Sequence, residues 1–106
     1  MAEYLYNKND HIQTCKFSGK LDTDLSIKLQ PEIEERIMTN FVPQSEKRLQ
    51  VVFDFEMVEF VTSSFIRLCV LYAKKVGREN FSILNSNPFI KKTFKIAGLD
   101  GELNLS

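Results

Sequence analysis

The stretch Leu49-Gln50-Val51-Val52-Phe53-Asp54-Phe55 constrains this chain more than any other. Apolar side chains on both faces of a short extended run mark a central strand covered by helices. The residues that follow agree. From Thr62 or Ser63 to Gly77, Phe65, Leu68, Cys69, Tyr72, Ala73 and Val76 recur at helical spacing, and Ile66, Val70 and Leu71 widen the stripe. Only Arg67, Lys74 and Lys75 are charged there, so this helix is expected to be largely buried.

Upstream, Tyr4–Tyr6 and His11–Phe17 are strand candidates joined by a turn at Asn7–Asp10, a hairpin of mixed period-2 pattern. Ser18 and Gly19 are turn formers, which ends the second strand at Phe17. Leu25, Leu29, Ile33 and Ile37 then recur every four residues and share one helix face. Pro31 falls inside that pattern and would cost a continuous helix about 3 kcal/mol. The sequence therefore predicts a loose turn, with Asp22, Thr23 or Asp24 as a cap, and a firm helix over Pro31–Asn40. Pro43 and the polar Gln44–Arg48 read as a loop, and Glu56–Val61 as a connector.

Phe81–Asn85 is a further short strand. Asn87 and Pro88 supply an N-cap and a first helical position. The helix they open has Phe89, Ile90, Phe94 and Ala97 as its apolar face and Gly98 as its stop. Lys91, Lys92 and Lys95 occupy its exposed side and, with Lys74, Lys75 and Arg78, read as a solvated face. Glu102–Leu105 reads as a last strand. This alternation of strands and helices predicts an α/β fold with a largely parallel sheet, extended by the first hairpin.

At 106 residues the chain has room for one core, and a single domain over 1–106 is expected. Its 14 basic residues balance its 14 acidic ones. That argues against a direct nucleic-acid role, because phosphate binding draws on a cationic excess. No apolar run approaches the ~18–20 residues of a membrane span, and Met1-Ala2-Glu3-Tyr4 lacks the features of a secretory signal. A cytoplasmic location without membrane insertion is expected. Cys15 and Cys69 belong to no CxxC pair and read as buried free thiols. His11 is the sole histidine, too few for a histidine metal site or a Ser-His triad. Neither metal nor cofactor is expected. Without a Gly-x-Ser-x-Gly elbow, and with carboxylates poorly matched to activating a serine hydroxyl, an enzyme is not expected either.

In open parallel sheets, ligands and partners meet the loops at the carboxyl ends of the strands. The connector after the central strand delivers Thr62, Ser63 and Ser64 to a helix start. Hydroxyls there can satisfy orphan N–H groups, worth about 1 kcal/mol. They can also make a phosphate site, as a bound anion or a phosphorylatable hydroxyl, because a helix N-terminus favours negative charge. One hydroxyl can cap while its neighbour faces solvent.

Four stretches in register then become familiar. Ser18-Gly19-Lys20-Leu21-Asp22 resembles a Gly-x-Leu-Asp turn before a first helix. Asp54-Phe55-Glu56-Met57-Val58-Glu59-Phe60-Val61-Thr62-Ser63-Ser64-Phe65 resembles, without a gap, the signature Asp-Leu-Ser-x-Val-x-Phe-Met-Asp-Ser-Ser-Gly. Arg67 fits an Arg often found just after it, and Phe94–Asp100 a late helix running into a Gly-Leu pair, here Gly98-Leu99. Together these stretches resemble the STAS family of sulphate-transporter and anti-sigma-antagonist modules, above all its small single-domain anti-sigma factor antagonists. The resemblance covers nearly the whole chain and implies a STAS-like mixed β-sheet of about five strands with an N-terminal hairpin, covered by three or four helices.

It also implies a non-catalytic partner-switching protein in transcription regulation. In such systems the unmodified domain binds an anti-sigma factor that is also a serine kinase. The kinase phosphorylates the first Ser of the Asp-Ser-Ser-Gly element, which maps onto Ser63, and a metal-dependent serine phosphatase reverses the mark. Thr62 and Ser64 are alternative acceptors. Asp22, Asp24, Glu56, Glu59, Thr62, Ser64, Phe65 and Arg67 are implied as partner-binding, with Glu56 and Glu59 expected close to Ser63. Two positions depart from the family pattern: Thr62 replaces its Asp and Phe65 its Gly. Phe65 is either core packing or a reshaped docking surface. The alternative function is a non-phosphorylated STAS adaptor subunit, for example of a lipid-transport ABC system.

Overall fold

The computed structural model describes residues 2–42, 47–99 and 101–106. Strands β1 (Ala2–Asn7) and β2 (Ile12–Leu21) open the chain as an antiparallel hairpin. Helix α1 (Thr23–Asn40), strand β3 (Gln50–Val61), helix α2 (Ser63–Val76), a 3-10 turn (Arg78–Asn80), strand β4 (Phe81–Leu84) and helix α3 (Pro88–Ile96) follow. The sheet order is β1-β2-β3-β4, with β2, β3 and β4 mutually parallel. The two crossovers through α1 and α2 step the same way across the sheet. Right-handed crossovers therefore put both helices on one face.

That face is built by alternation. Cys15 and Phe17 of β2, Val51, Phe53 and Phe55 of β3, and Phe81 and Ile83 of β4 are buried. Between them, Thr14, Lys16, Val52, Asp54 and Ser82 are only half-buried. Phe17 meets Phe53 and Phe65 edge-on, each at 5.1 Å between ring centroids, and Phe53 meets Phe81 at 4.9 Å. Such edge contacts add about 0.5–1.5 kcal/mol each beyond the area buried. Leu29, Ile33 and Ile37 of α1 and Leu68, Cys69, Tyr72 and Val76 of α2 close the core from above. Cys15 and Cys69 are free and buried, as their isolation in the sequence predicts.

Several elements run differently from the sequence reading. Helix α1 starts at Thr23 and passes unbroken through Pro31, although a loose turn is predicted there. Pro31 is exposed, on the side where a carbonyl without its N–H partner can turn to water. Burial of Leu29, Ile33 and Ile37 opposite it outweighs the lost bond. Asp22 is the cap, its Oδ1 accepting from the Leu25 N–H at 2.9 Å.

Strands β2 and β3 overrun the predicted turn at Ser18-Gly19 and the predicted connector over 56–61. Their pairing shifts register twice, between Lys16 and Ser18 and between Gly19 and Lys20. At the first shift Asp54 Oδ1 accepts from the Glu56 N–H at 3.0 Å. At the second lies Gly19 with φ +85°, a conformation that a bulge supplies and glycine tolerates.

The predicted last strand shrinks to a single parallel bridge, Ile83 to Leu105, so among the described residues the sheet has four strands and not five. Asn104 interrupts it: its φ is +48° and its side-chain amide donates to the carbonyls of Arg78 and Phe81. Helix α3 begins as predicted, with Asn87 Oδ1 accepting from the Ile90 N–H at 2.8 Å and Pro88 in the first turn. Its buried residues are Ile90 and Phe94; Phe89 and Ala97, assigned to the apolar face, are exposed. Residues 43–46 of the predicted loop, and Asp100, lie outside the described residues.

Candidate partner-docking site

β2 and β3 finish together. Leu21 and Val61 form the last register pair, and the Thr62 N–H donates to the Leu21 carbonyl at 3.0 Å. Two adjacent parallel strands that end level must launch their helices side by side. The starts of α1 and α2 therefore share one surface, joined by a hydrogen bond between Thr23 Oγ1 and Ser64 Oγ at 3.2 Å.

The three hydroxyls divide their roles. Thr62 is the N-cap residue of α2, yet its side chain caps nothing: Oγ1 donates to the Leu21 carbonyl at 3.2 Å. The capping expected of a hydroxyl here is thus replaced, at Thr62, by a tie between strand ends. Ser64 is half-buried and engaged with Thr23. Ser63, between them, is exposed. Arg67 is also exposed and lies four residues on, so it shares the helix side of Ser63. No acidic residue occupies the first turn of α2.

Asp22 and Asp24 are exposed at the start of α1, where carboxylates suit the helix dipole. Glu56 and Glu59 are exposed too, but they do not join this group. Both lie on β3 and not on a folded-back loop. At about 3.3 Å per residue, Glu56 is on the order of 20 Å back along the strand from Ser63. Glu59, four residues before Ser63, is about 13 Å back along the chain, and its main-chain carbonyl accepts from the Asn87 side chain at 3.2 Å. Phe65 does not reach this surface. Its side chain is 0% exposed and its ring packs on Phe17 and Phe55, because the inner side of the first turn faces the sheet.

Beside the paired helix starts runs a groove of about 430 Å³, bordered by Ser26, Ile27 and Gln30 of α1 and Arg67, Leu68 and Leu71 of α2. Ile27 is 67% exposed and Leu71 45%. Sequence reasoning missed this groove. It placed Leu71 in a buried stripe and passed over Ile27. The available signal was an isoleucine two residues off the period-4 stripe of α1.

Solved structures share this fold. The anti-sigma factor antagonist SpoIIAA in its unphosphorylated form matches with a TM-score of 0.73 at 17% identity, over 100% of this chain and 88% of that one. An anti-sigma factor antagonist from Mycobacterium paratuberculosis matches with a TM-score of 0.69 at 22% identity, over 99% and 85%. The chain has the STAS fold of the anti-sigma factor antagonists. The Bacillus cell fate determinant SpoIIAA in its phosphorylated form matches that fold with a TM-score of 0.65 at 17% identity, over 100% and 91%. No protein-family model matches the chain, and no curated protein matches it by sequence.

On this STAS fold the exposed Ser63, the two aspartates and the α1–α2 groove form one end of the helical layer. Among the described residues, no group of three or more His, Cys, Asp or Glu is placed to hold a metal. No described helix is long and apolar enough to cross a membrane.

Proposed function

We propose that this chain is an anti-sigma factor antagonist working as a single partner-switching module in the cytoplasm. Unmodified, it binds an anti-sigma factor that is also a serine kinase, through the joined starts of α1 and α2 and the groove beside them. Phosphorylation of Ser63 releases it, and a metal-dependent serine phosphatase resets it. The chain itself catalyses nothing.

One observation carries this reading. Of three successive hydroxyls, Thr62 and Ser64 have partners inside the fold while Ser63 is exposed at the first residue of α2. A phosphate there adds about −1.5 to −2 charge. The domain tolerates that charge, because the helix N-terminus favours it, Arg67 is on the same side, and the first turn holds no carboxylate. A partner docked on this surface must desolvate it, which costs a few kcal/mol and is enough to exchange partners. Switching rests on that burial, without help from Glu56, which lies far back along β3.

The test is intact mass after incubation with ATP and the anti-sigma factor kinase of the same source. A gain of about 80 Da, mapped to Ser63 and absent from Ser63→Ala, is expected, together with loss of the complex on size-exclusion chromatography. Label on Thr62 or Ser64, or undiminished label on Ser63→Ala, overturns the assignment of Ser63. No label, with stable co-purification of an ATP-binding cassette subunit, identifies the adaptor alternative.

A further inference from the structure

Helix α3 presents an outward face that the partner-switching surface does not use. Its inner side is Ile90 and Phe94, both buried. The outer side carries Lys91, Lys92 and Lys95, and no acidic residue occurs between Pro88 and Ile96. Phe89 and Ile96 are seven residues apart and so lie on one side of the helix. They are 63% and 78% exposed, and Lys92 adjoins them on the same outer surface. In a chain of zero formal net charge, this is a local cationic excess beside two large apolar side chains held in water.

We infer that this face docks reversibly on an anionic lipid surface. Phe89 and Ile96 insert at the boundary between headgroups and acyl chains with Lys92 beside them at the headgroup phosphates, and Lys95 and Lys91, further round the helix, act on the anionic surface within a Debye length. Each half of the pattern narrows the occupant. Lysines on a helix that has no carboxylate of its own favour an anion. A nucleic-acid backbone would satisfy the lysines and leave Phe89 and Ile96 in water. A protein interface of standard size takes about 800 Å² from each partner. Nine residues at 1.5 Å per residue make a face only about 14 Å long, convex and too small for that area. A bilayer needs no shaped counterpart, since acyl chains close around single side chains and acidic lipids gather beneath the cations. The helix would lie on the membrane and not cross it, which its length forbids.

Co-sedimentation with sucrose-loaded vesicles tests this. Vesicles of phosphatidylcholine alone are compared with vesicles containing 30% phosphatidylserine, at low salt and at about 0.3 M salt, where screening shortens electrostatic reach. The protein should sediment with the phosphatidylserine vesicles only, and much less at high salt. Changing Lys91, Lys92 and Lys95 together to Gln should lower the partition coefficient about 100-fold. Phe89→Ser with Ile96→Ser should lower it about 10-fold while keeping the salt dependence. All five positions are exposed, and circular dichroism checks that the variants keep their helix content. Absence of wild-type protein from the phosphatidylserine pellet at low salt overturns the inference, whether or not α3 then proves to face an acidic protein. So does equal binding by the triple Gln variant. Neither result bears on Ser63.

Discussion

Thr23 Oγ1 and Ser64 Oγ lie 3.2 Å apart, one at the first residue of α1 and the other at the second of α2. This contact links two helices through residues 41 positions apart in sequence, at the point where both begin. Being partly solvated, it should be worth little to the fold. A double-mutant cycle with Thr23→Val and Ser64→Ala should give a coupling of about 0.5–1 kcal/mol by urea denaturation. A coupling indistinguishable from zero would show that the two helix starts are set by the strands alone.

Asp22 separates a structural role from a docking role. Its side chain caps α1 through the Leu25 N–H, so Asp22→Ala should cost about 1 kcal/mol. For a domain of this size that lowers Tm by about 4–8 °C. Asp22→Asn keeps the cap and removes the charge, and should leave Tm nearly unchanged. Any loss of partner binding by that variant then reports the carboxylate itself.

Phe65 stands where the resembled family has glycine, and restoring the glycine should be damaging. Phe65→Ala empties a space between Phe17, Phe53 and Phe55 and should cost about 3–5 kcal/mol. Phe65→Gly should cost about 1 kcal/mol more, from the lower helix propensity of glycine. Equilibrium denaturation measures both. A loss under 1 kcal/mol for Phe65→Ala would return the ring to the docking surface.

Alkaline pH should unfold this protein early. Burial pushes the Cys15 thiol up to about 12 and raises that of Cys69 well above the ordinary thiol range. An unfolded thiol ionises near pH ~8.5. The folded chain therefore holds protons that the unfolded chain releases above that pH. The stabilisation is complete below about pH 8.5 and declines as pH rises toward the folded values, by about 1.4 kcal/mol per pH unit for each thiol. Urea denaturation at pH 8, 9 and 10 should show this slope, and Cys15→Ala should remove about half of it.

Much of the architecture was legible because burial leaves a periodic trace. Val51, Phe53 and Phe55 announced a covered strand and Asn87-Pro88 a helix start, whereas the stripe from Leu25 to Ile37 was divided at Pro31 although its burial carries one helix through that residue. What was not legible lay where periodicity is interrupted by geometry. The two register shifts move Met57, Val58, Phe60 and Val61 off a period of two, so a bulged strand reads as a connector. The same misreading put Glu56 and Glu59 beside Ser63. The exposure of Ser63 depends on the Leu21 carbonyl and the Thr23 hydroxyl, which engage its neighbours from 41 positions away, and no local pattern carries such information. Ile27 escaped notice because one apolar residue off a stripe is ordinary on any surface.

The Leu21 carbonyl accepts both the backbone N–H and the side-chain hydroxyl of Thr62. That double latch bolts the root of α2 to the tip of a neighbouring strand. A chemical edit one residue further on has no slack to take up, and should leave Cα positions within about 1 Å, as in preorganised complexes. Whatever reads Ser63 must then sense a changed charge on an unmoving plate, and its discrimination will reside in how fast it lets go.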